Sequence, residues 1–408
     1  MNKPIPSPDE ASTRRRSNAG GGLRTLLGTI LLLSFLVPLL VPAQAEAVPH
    51  FARRIGRNCT YCHTLFPKLN ETGRIFLSNG FRFEDEEVWE KAKDLQTIPV
   101  SFEVEIEGLY NNTSASGVAT ESSDIKVEEV EIMAGGAFGK TGKITAFGVL
   151  AVEQSDSNGT AVYDAKIDDA FIQINDLLGP TGAGVLNLRV GQSHLVLPFL
   201  GGHQRFIHNA YLSESVLGVL TGAQRLIELN GMLLTPDDES LIPTHRYAIG
   251  ISRENIFDDD KLRGYYATYS FTIRETFSFG AIHRIGKEKF GSGDIFYEKH
   301  GAAVEAEFGP VILTGGIFNS DREGRDTMGN YMVEALYLPW ARVSLGARYD
   351  VAKKSGKDKA LATSLMARYN ILSNAYALLE YRNLSDDDLI IGSNEEEEKL
   401  RLIMAILF

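Results

Sequence analysis

From Pro99 onward, apolar and polar residues alternate with a period of two. In "VSFEVEIEGLY", Val100, Phe102, Val104 and Ile106 fall on one face, and Ser101, Glu103, Glu105 and Glu107 on the other. "YYATYSFTIR" opposes Tyr265, Ala267, Tyr269, Phe271 and Ile273 to Tyr266, Thr268, Ser270, Thr272 and Arg274. "ARVSLGARYDV" sets Val343, Leu345, Ala347 and Tyr349 against Arg342, Ser344, Gly346, Arg348 and Asp350. This is the pattern of a strand with two unlike faces, because successive side chains point to opposite sides. It recurs in about sixteen segments of about ten residues, the length and number of a transmembrane antiparallel β-barrel, apolar towards lipid and polar towards the lumen. The segments open near residues 98, 125, 142, 162, 184, 225, 244, 262, 275, 295, 309, 328, 340, 359, 373 and 397. A soluble sandwich alternates too, but it explains neither the number of segments nor the loops between them.

Tight links such as "GKTGK", "GPTG" and "LPW" follow even-numbered segments. Longer polar links, "NTSASGVATESSD", "SDREGRDTM" and "SDDDLIIGSNEEEE", follow odd-numbered ones. Short periplasmic turns and long external loops give this rhythm when both ends of the barrel chain are periplasmic. The last segment, "LRLIMAILF", places Leu400, Leu402, Met404 and Ile406 on one face and finishes on Phe408. That ending resembles the assembly signal of bacterial outer-membrane barrels, implying the barrel assembly machinery and outer-membrane lipid as partners.

The lumen parity collects Glu103, Glu105, Glu107, Glu129, Glu131, Arg189, Arg246, Arg274, Arg342, Arg348 and Arg368. Mixed signs of this kind imply an ion-paired interior rather than a catalytic constellation. The longest external loop, "VLPFLGGHQRFIHNAYLSESVLGVLTGA", holds His203, His208 and Glu214. A solvated or packed loop is the expectation there, with metal binding or folding into the pore as alternatives.

Ahead of the alternating region the character changes. Residues 46–97 read as loops and short helices, one spanning Pro67–Ser78 with Asn79-Gly80 as its stop, another beginning at Asp85. Residues 1–45 carry Arg14, Arg15, Arg16 and Arg24, then the apolar run "LLGTILLLSFLVPLLVP", then the small residues "AQAEA". That order predicts a cleaved signal peptide rather than an anchor, since the run is short and broken by Pro38. The chain thus divides into a signal peptide (1–45), a small segment (46–97) and a porin-like outer-membrane barrel (98–408).

The chain carries a net charge of −12, and −15 once residues 1–45 are removed. This argues against nucleic acid as a partner and suits attraction of cations.

Both cysteines of the chain lie in "NCTYCHTLF", as Cys59-Thr60-Tyr61-Cys62-His63. C-x-x-C-H is the attachment sequence of c-type haem. Two thiols three residues apart add to the two vinyl groups of one porphyrin, and the adjacent His63 reaches the iron. A small disulfide, a thioredoxin-type pair and zinc are the alternatives. The redox pair wants a βαβ context, and zinc wants further ligands at suitable spacing.

"VPHFARRIGRNCTYCHTLFPKLNETGRIFLSNGFRF", Val48–Phe83, resembles the amino-terminal segment of the fused monohaem cytochrome–porins of bacterial outer membranes, whose best-known members oxidise ferrous iron. The matching pieces are Pro49-x-Phe51-Ala52-Arg53, Cys59-x-x-Cys62-His63, Phe66-Pro67-x-Leu69-Asn70, Gly73-Arg74-x-Phe76 and Asn79-Gly80-Phe81. Glu71-Thr72 stands where the family has an apolar pair.

The resemblance implies one covalent haem c on Cys59 and Cys62 with His63 as axial ligand. It also implies a conduit passing electrons from an extracellular reductant, Fe(II) foremost, to a periplasmic cytochrome or other carrier, which would make the chain an Fe(II):cytochrome c oxidoreductase. A transport porin with a haem-bearing plug or redox sensor, and an outward conduit to an extracellular acceptor, are the alternatives. For the sixth ligand, residues 46–97 hold no Met and, besides His63, only His50. The iron must use His50, a barrel residue such as lumen-facing Met133, or an open site.

Overall fold

A computed structural model describes residues 50–83, 99–115, 118–139, 141–157, 160–233, 244–253, 262–290, 293–354, 359–387, 389 and 394–408. The expected signal peptide and the helix from Asp85 lie outside the described residues.

Two short strands, β1 (His63–Leu65) and β2 (Lys68–Leu69), pair with each other. The wall begins with β3 (Val100–Ala115), β4 (Val118–Phe138), β5 (Ile144–Ser157), β6 (Thr160–Leu178) and β7 (Leu186–Leu195). It continues with β8 (Thr221–Leu233), β9 (Thr244–Arg253), β10 (Leu262–Ile273), β11 (Phe277–Phe290), β12 (Gly293–Phe308) and β13 (Val311–Arg322). The remaining strands are β14 (Met328–Trp340), β15 (Val343–Lys354), β16 (Lys359–Leu372), β17 (Ala375–Asp387) and β18 (Asn394–Leu407). Each pairs antiparallel with the next, and β18 pairs with β3, closing a barrel of sixteen strands.

Every strand opens within four residues of its expected position except β4, which starts at Val118. The reason is that "NTSASGVATESSD" is not a loop. Ala115 pairs with Val118, so the two strands run on as a polar hairpin linked only by residues 116–117. "SDDDLIIGSNEEEE" likewise gives Ser385–Asp387 and Asn394–Glu398 to strands, because a ladder satisfies backbone groups as well as water does. "SDREGRDTM" keeps Glu323–Thr327 as the link between β13 and β14. Part of the expected length contrast between connectors therefore lies in the strands instead.

Exposure runs opposite to that of a water-soluble fold. On β3, Phe102 and Ile106 are 37% and 46% exposed, whereas Glu105 and Glu107 are 7% and 1% exposed. Such a surface is stable when the outer wall meets hydrocarbon and the inner wall pairs its own charges. Arg274 and Arg342 depart from the expected lumen parity, because the strands stop short of them and both lie exposed in turns. At the seam, Phe102 and Phe408 exchange backbone hydrogen bonds of 2.7 and 2.9 Å, and their rings stack at 5.5 Å.

The lumen is filled from two sources. Residues 196–220, between β7 and β8, fold inward around α3 (Leu212–Ser215), once α1 (His50–Ile55) and α2 (Glu71–Ser78) are counted. Leu197, Phe199, Leu200, Leu212 and Leu217 are buried against Ile282, Phe318 and Met332 of β11, β13 and β14. Of the alternatives for this loop, folding into the pore is the one adopted. The second filling is the segment 50–83, which holds α1, a tight turn at Cys59–Tyr61, and α2. α2 is shorter than expected. Asn70 caps it by accepting from Gly73 N at 3.0 Å, while Lys68 and Leu69 pair instead with β1.

Candidate functional site

The segment is bound to the wall by charge and by aromatic packing. Glu305 of β12 meets Lys68 Nζ and Arg74 Nη2, each at 2.5 Å, and Arg82 meets Asp176 at 2.8 Å. Glu71 pairs with Arg246 of β9. Glu71 is thus a docking contact. Phe51, Phe76 and Phe81 cluster with Phe147 and Phe171 of the wall, with Phe51 and Phe81 stacked at 4.8 Å. Arg53 donates to Val100 O at 2.7 Å, and Asn79 to Gly182 O at 2.9 Å. Most motif pieces beyond the C-x-x-C-H step therefore hold the segment in place.

Gly73 does this at shortest range. A Cβ there would lie 2.2 Å from Cys62 O, so α2 can lie directly against the cysteine turn only through a glycine.

Cys59 and Cys62 are not joined in a disulfide, and both are partly exposed. His63 follows with its ring turned into the barrel. Its Nδ1 lies 3.0 Å from Pro67 O, which fixes the ring with an N–H at that position and leaves Nε2 to accept a metal bond. Enclosure by the barrel lowers its pKa to about 4, so the imidazole is neutral and able to ligate.

His63 lines a cavity of about 700 Å³, a size suited to a cofactor. Phe66, Arg368 and Tyr376 line that cavity and also a small pocket bearing Cys59. Two cysteines outside any disulfide, a neutral ring with one nitrogen left to accept, and an adjoining cavity fit a c-type haem. Cys59 and Cys62 would hold it covalently and His63 would ligate its iron.

Met133 lines the same cavity as His63; His50 does not. His50 is buried, its Nδ1 lying 2.5 Å from Ser101 Oγ, and Ser101 pairs across the ladder with Met133. The two sixth-ligand candidates thus sit at one place on the wall, with Met133 facing the cavity.

His208 also lines the cavity and is held by its backbone N–H, which donates to Glu380 at 2.7 Å. Glu214 accepts from Gly202 N at 2.8 Å and pairs with Arg205, so it organises the inner loop. His203 lies in the turn Gly202–Gln204, and its side chain is outside the described residues. Among the described residues, the groups close enough to share a metal ion do not include His208 or Glu214.

Sequence reasoning missed Glu128, Asp168, Asp169 and His194, all on the cavity wall. Glu103, Glu105, Glu129, Glu131, Arg189, Arg246 and Arg368 line the cavity as parity predicts. Glu107 and Arg348 are buried on the same inner face.

No protein-family model and no curated protein matches this chain. Solved structures do. The anion-selective porin of Comamonas acidovorans superposes with a TM-score of 0.57 at 13% identity, over 76% of this chain and 99% of that one. The outer membrane channel DcaP of Acinetobacter baumannii gives 0.55 at 12%, over 76% and 97%. OmpT, an outer membrane protein of Vibrio cholerae, gives 0.54 at 12%, over 78% and 100%. At these identities the likeness is one of fold. The chain carries the closed sixteen-strand antiparallel barrel of outer-membrane porins.

Proposed function

We propose that this protein is an outer-membrane electron conduit, taking electrons from an extracellular reductant, Fe(II) foremost, and delivering them through one c-type haem to a periplasmic carrier. The observation that carries the reading is the placement of His63, which follows two cysteines not joined in a disulfide, has its Nδ1 held by Pro67 O, and lines a cavity within the barrel. A haem held there supplies a one-electron couple. The chain's own residues fix it, exclude bulk water, and line the approach with carboxylates that attract a cation. Outer-sphere transfer needs no acid–base group, which agrees with reading the lumen charges as an ion-paired interior.

The porin likeness favours a transport barrel with a haem-bearing plug as the second reading. One experiment separates them. Haem-loaded protein in detergent is mixed with Fe(II) in a stopped-flow instrument, and the haem spectrum is followed. Rapid reduction in the native protein, lost in His63→Ala, is expected. An unreduced haem together with robust solute flux through the reconstituted barrel would establish the transport reading instead.

A further inference from the structure

β-Bulges place an extra residue in one strand and re-aim its side chain. Two of them bring carboxylates into the cavity. Glu105 pairs with Glu129, yet Ile106 pairs with Val127, so Glu128 is the extra residue of β4, and it lines the cavity together with Glu129. Gly148 pairs with Ala170, yet Leu150 pairs with Ile167, so Asp168 and Asp169 of β6 stand opposite Val149 alone. Both aspartates line the cavity, where unbroken alternation would send one of them to lipid.

His194 of β7 meets both. Its Nδ1 is 3.3 Å from Asp169 Oδ2, and its Nε2 is 3.8 Å from Asp168 Oδ2. One ligand atom from each of the three lies within 4.8 Å of the others. Gly191 permits this approach of β7 to β6. Its φ is +146°, and a Cβ there would stand 2.2 Å from Ala170 O.

We infer that Asp168, Asp169 and His194 form a divalent-cation site on the wall of the cavity that His63 also lines. Two carboxylates and one imidazole match the charge of a divalent ion and the preference of first-row metals such as Mn²⁺ and Fe²⁺. Three protein ligands leave coordination positions for water or exchange, as a site for passing cargo requires. Glu131 on the same wall raises the local cation concentration. Identification of the cargo as Fe²⁺ rests on the proposed function; the site itself does not. Its role is to hold the donor at a fixed place beside the haem cavity.

The test uses haem-loaded, full-length protein in detergent and Mn²⁺ as probe, read by loss of the free-ion EPR signal. Asp168→Asn/Asp169→Asn and His194→Gln are compared with Glu298→Gln, after heat-modifiable migration confirms that each barrel is folded. Glu298→Gln removes the carboxylate of the other group among the described residues whose ligand atoms lie within 4.8 Å of one another, His283, Glu298 and His300. One saturable site is expected, weakened at least tenfold in the double variant and to a lesser degree in His194→Gln. The Fe(II) concentration giving half-maximal haem reduction should rise in parallel, while reduction by dithionite stays unchanged.

Absence of a saturable Mn²⁺ site in native protein, or undiminished binding in the double variant, would overturn the inference. Failure of Fe(II) to reduce the haem while the Mn²⁺ site is present and lost in the double variant would overturn the conduit and support the site. Unimpaired Fe(II) reduction with undiminished Mn²⁺ binding in the double variant would do the reverse.

Discussion

Arg74 donates to Glu305 at 2.5 Å, and both side chains are buried where the docked segment meets the barrel wall. Lys68 reaches the same carboxylate, so two cations that have left water share one acid.

Removing that acid strands both cations. Breaking a buried pair from one side costs about 3–5 kcal/mol, and here two partners lose their counter-charge. Glu305→Ala should loosen the segment while leaving the barrel intact. Hydrogen exchange at α2 should quicken and bilayer conductance should rise. Exchange as slow as in native protein would show that aromatic packing alone holds the segment.

Covalent haem is expected on Cys59 and Cys62. The Cys59→Ser/Cys62→Ser variant should lose haem staining on denaturing gels yet still reach the outer membrane as a heat-modifiable barrel. Staining that persists would remove the haem assignment.

The sixth ligand can be read spectroscopically. Met133 lines the cavity and His50 does not, so Met133→Ala should alter the ferric haem spectrum and lower the reduction potential, as thioether ligation raises it. His50→Ala should leave both nearly unchanged. The opposite pattern would make His50 the ligand.

His50 also sets a pH dependence, best measured in the haem-free double-serine protein. Burial, with Arg54 and Arg53 nearby, lowers its pKa from 6.5 to about 3. Between those values the unfolded chain binds a proton that the folded one does not. Stability therefore falls as pH drops from about 6.5 towards 3, by up to about 1.4 kcal/mol per unit. Protease cleavage within α1 should rise between pH 7.5 and 5, and His50→Gln should flatten that rise. An equal rise in both proteins would place the effect elsewhere.

Much of the wall was legible because a strand with one face in lipid must alternate. Glu103, Glu105 and Arg368 were placed correctly on that ground alone. The bulges at Glu128 and Asp168–Asp169 were not, since an extra residue reverses parity without changing composition. His194 acquires meaning only beside that second bulge. C-x-x-C-H was legible because its chemistry depends on spacing along the chain. The partners of Glu71 and Arg74 were hidden, because Arg246 and Glu305 lie far off in sequence and meet them only once the barrel closes.

The filling of the lumen gives this barrel an unequal thermal character between its inner and outer faces. Side chains on the outer wall face hydrocarbon and gain nothing from leaving water. Leu197, Phe199, Leu212 and Leu217 do leave water when the loop packs against β11, β13 and β14, so their burial carries a heat-capacity change. Cooling should weaken that packing, as it weakens the core of a water-soluble domain. On β5 and β6 the same holds for Phe51, Phe76 and Phe81, packed against Phe147 and Phe171. Within one closed sheet, the inner face answers to temperature through water and the outer face through lipid.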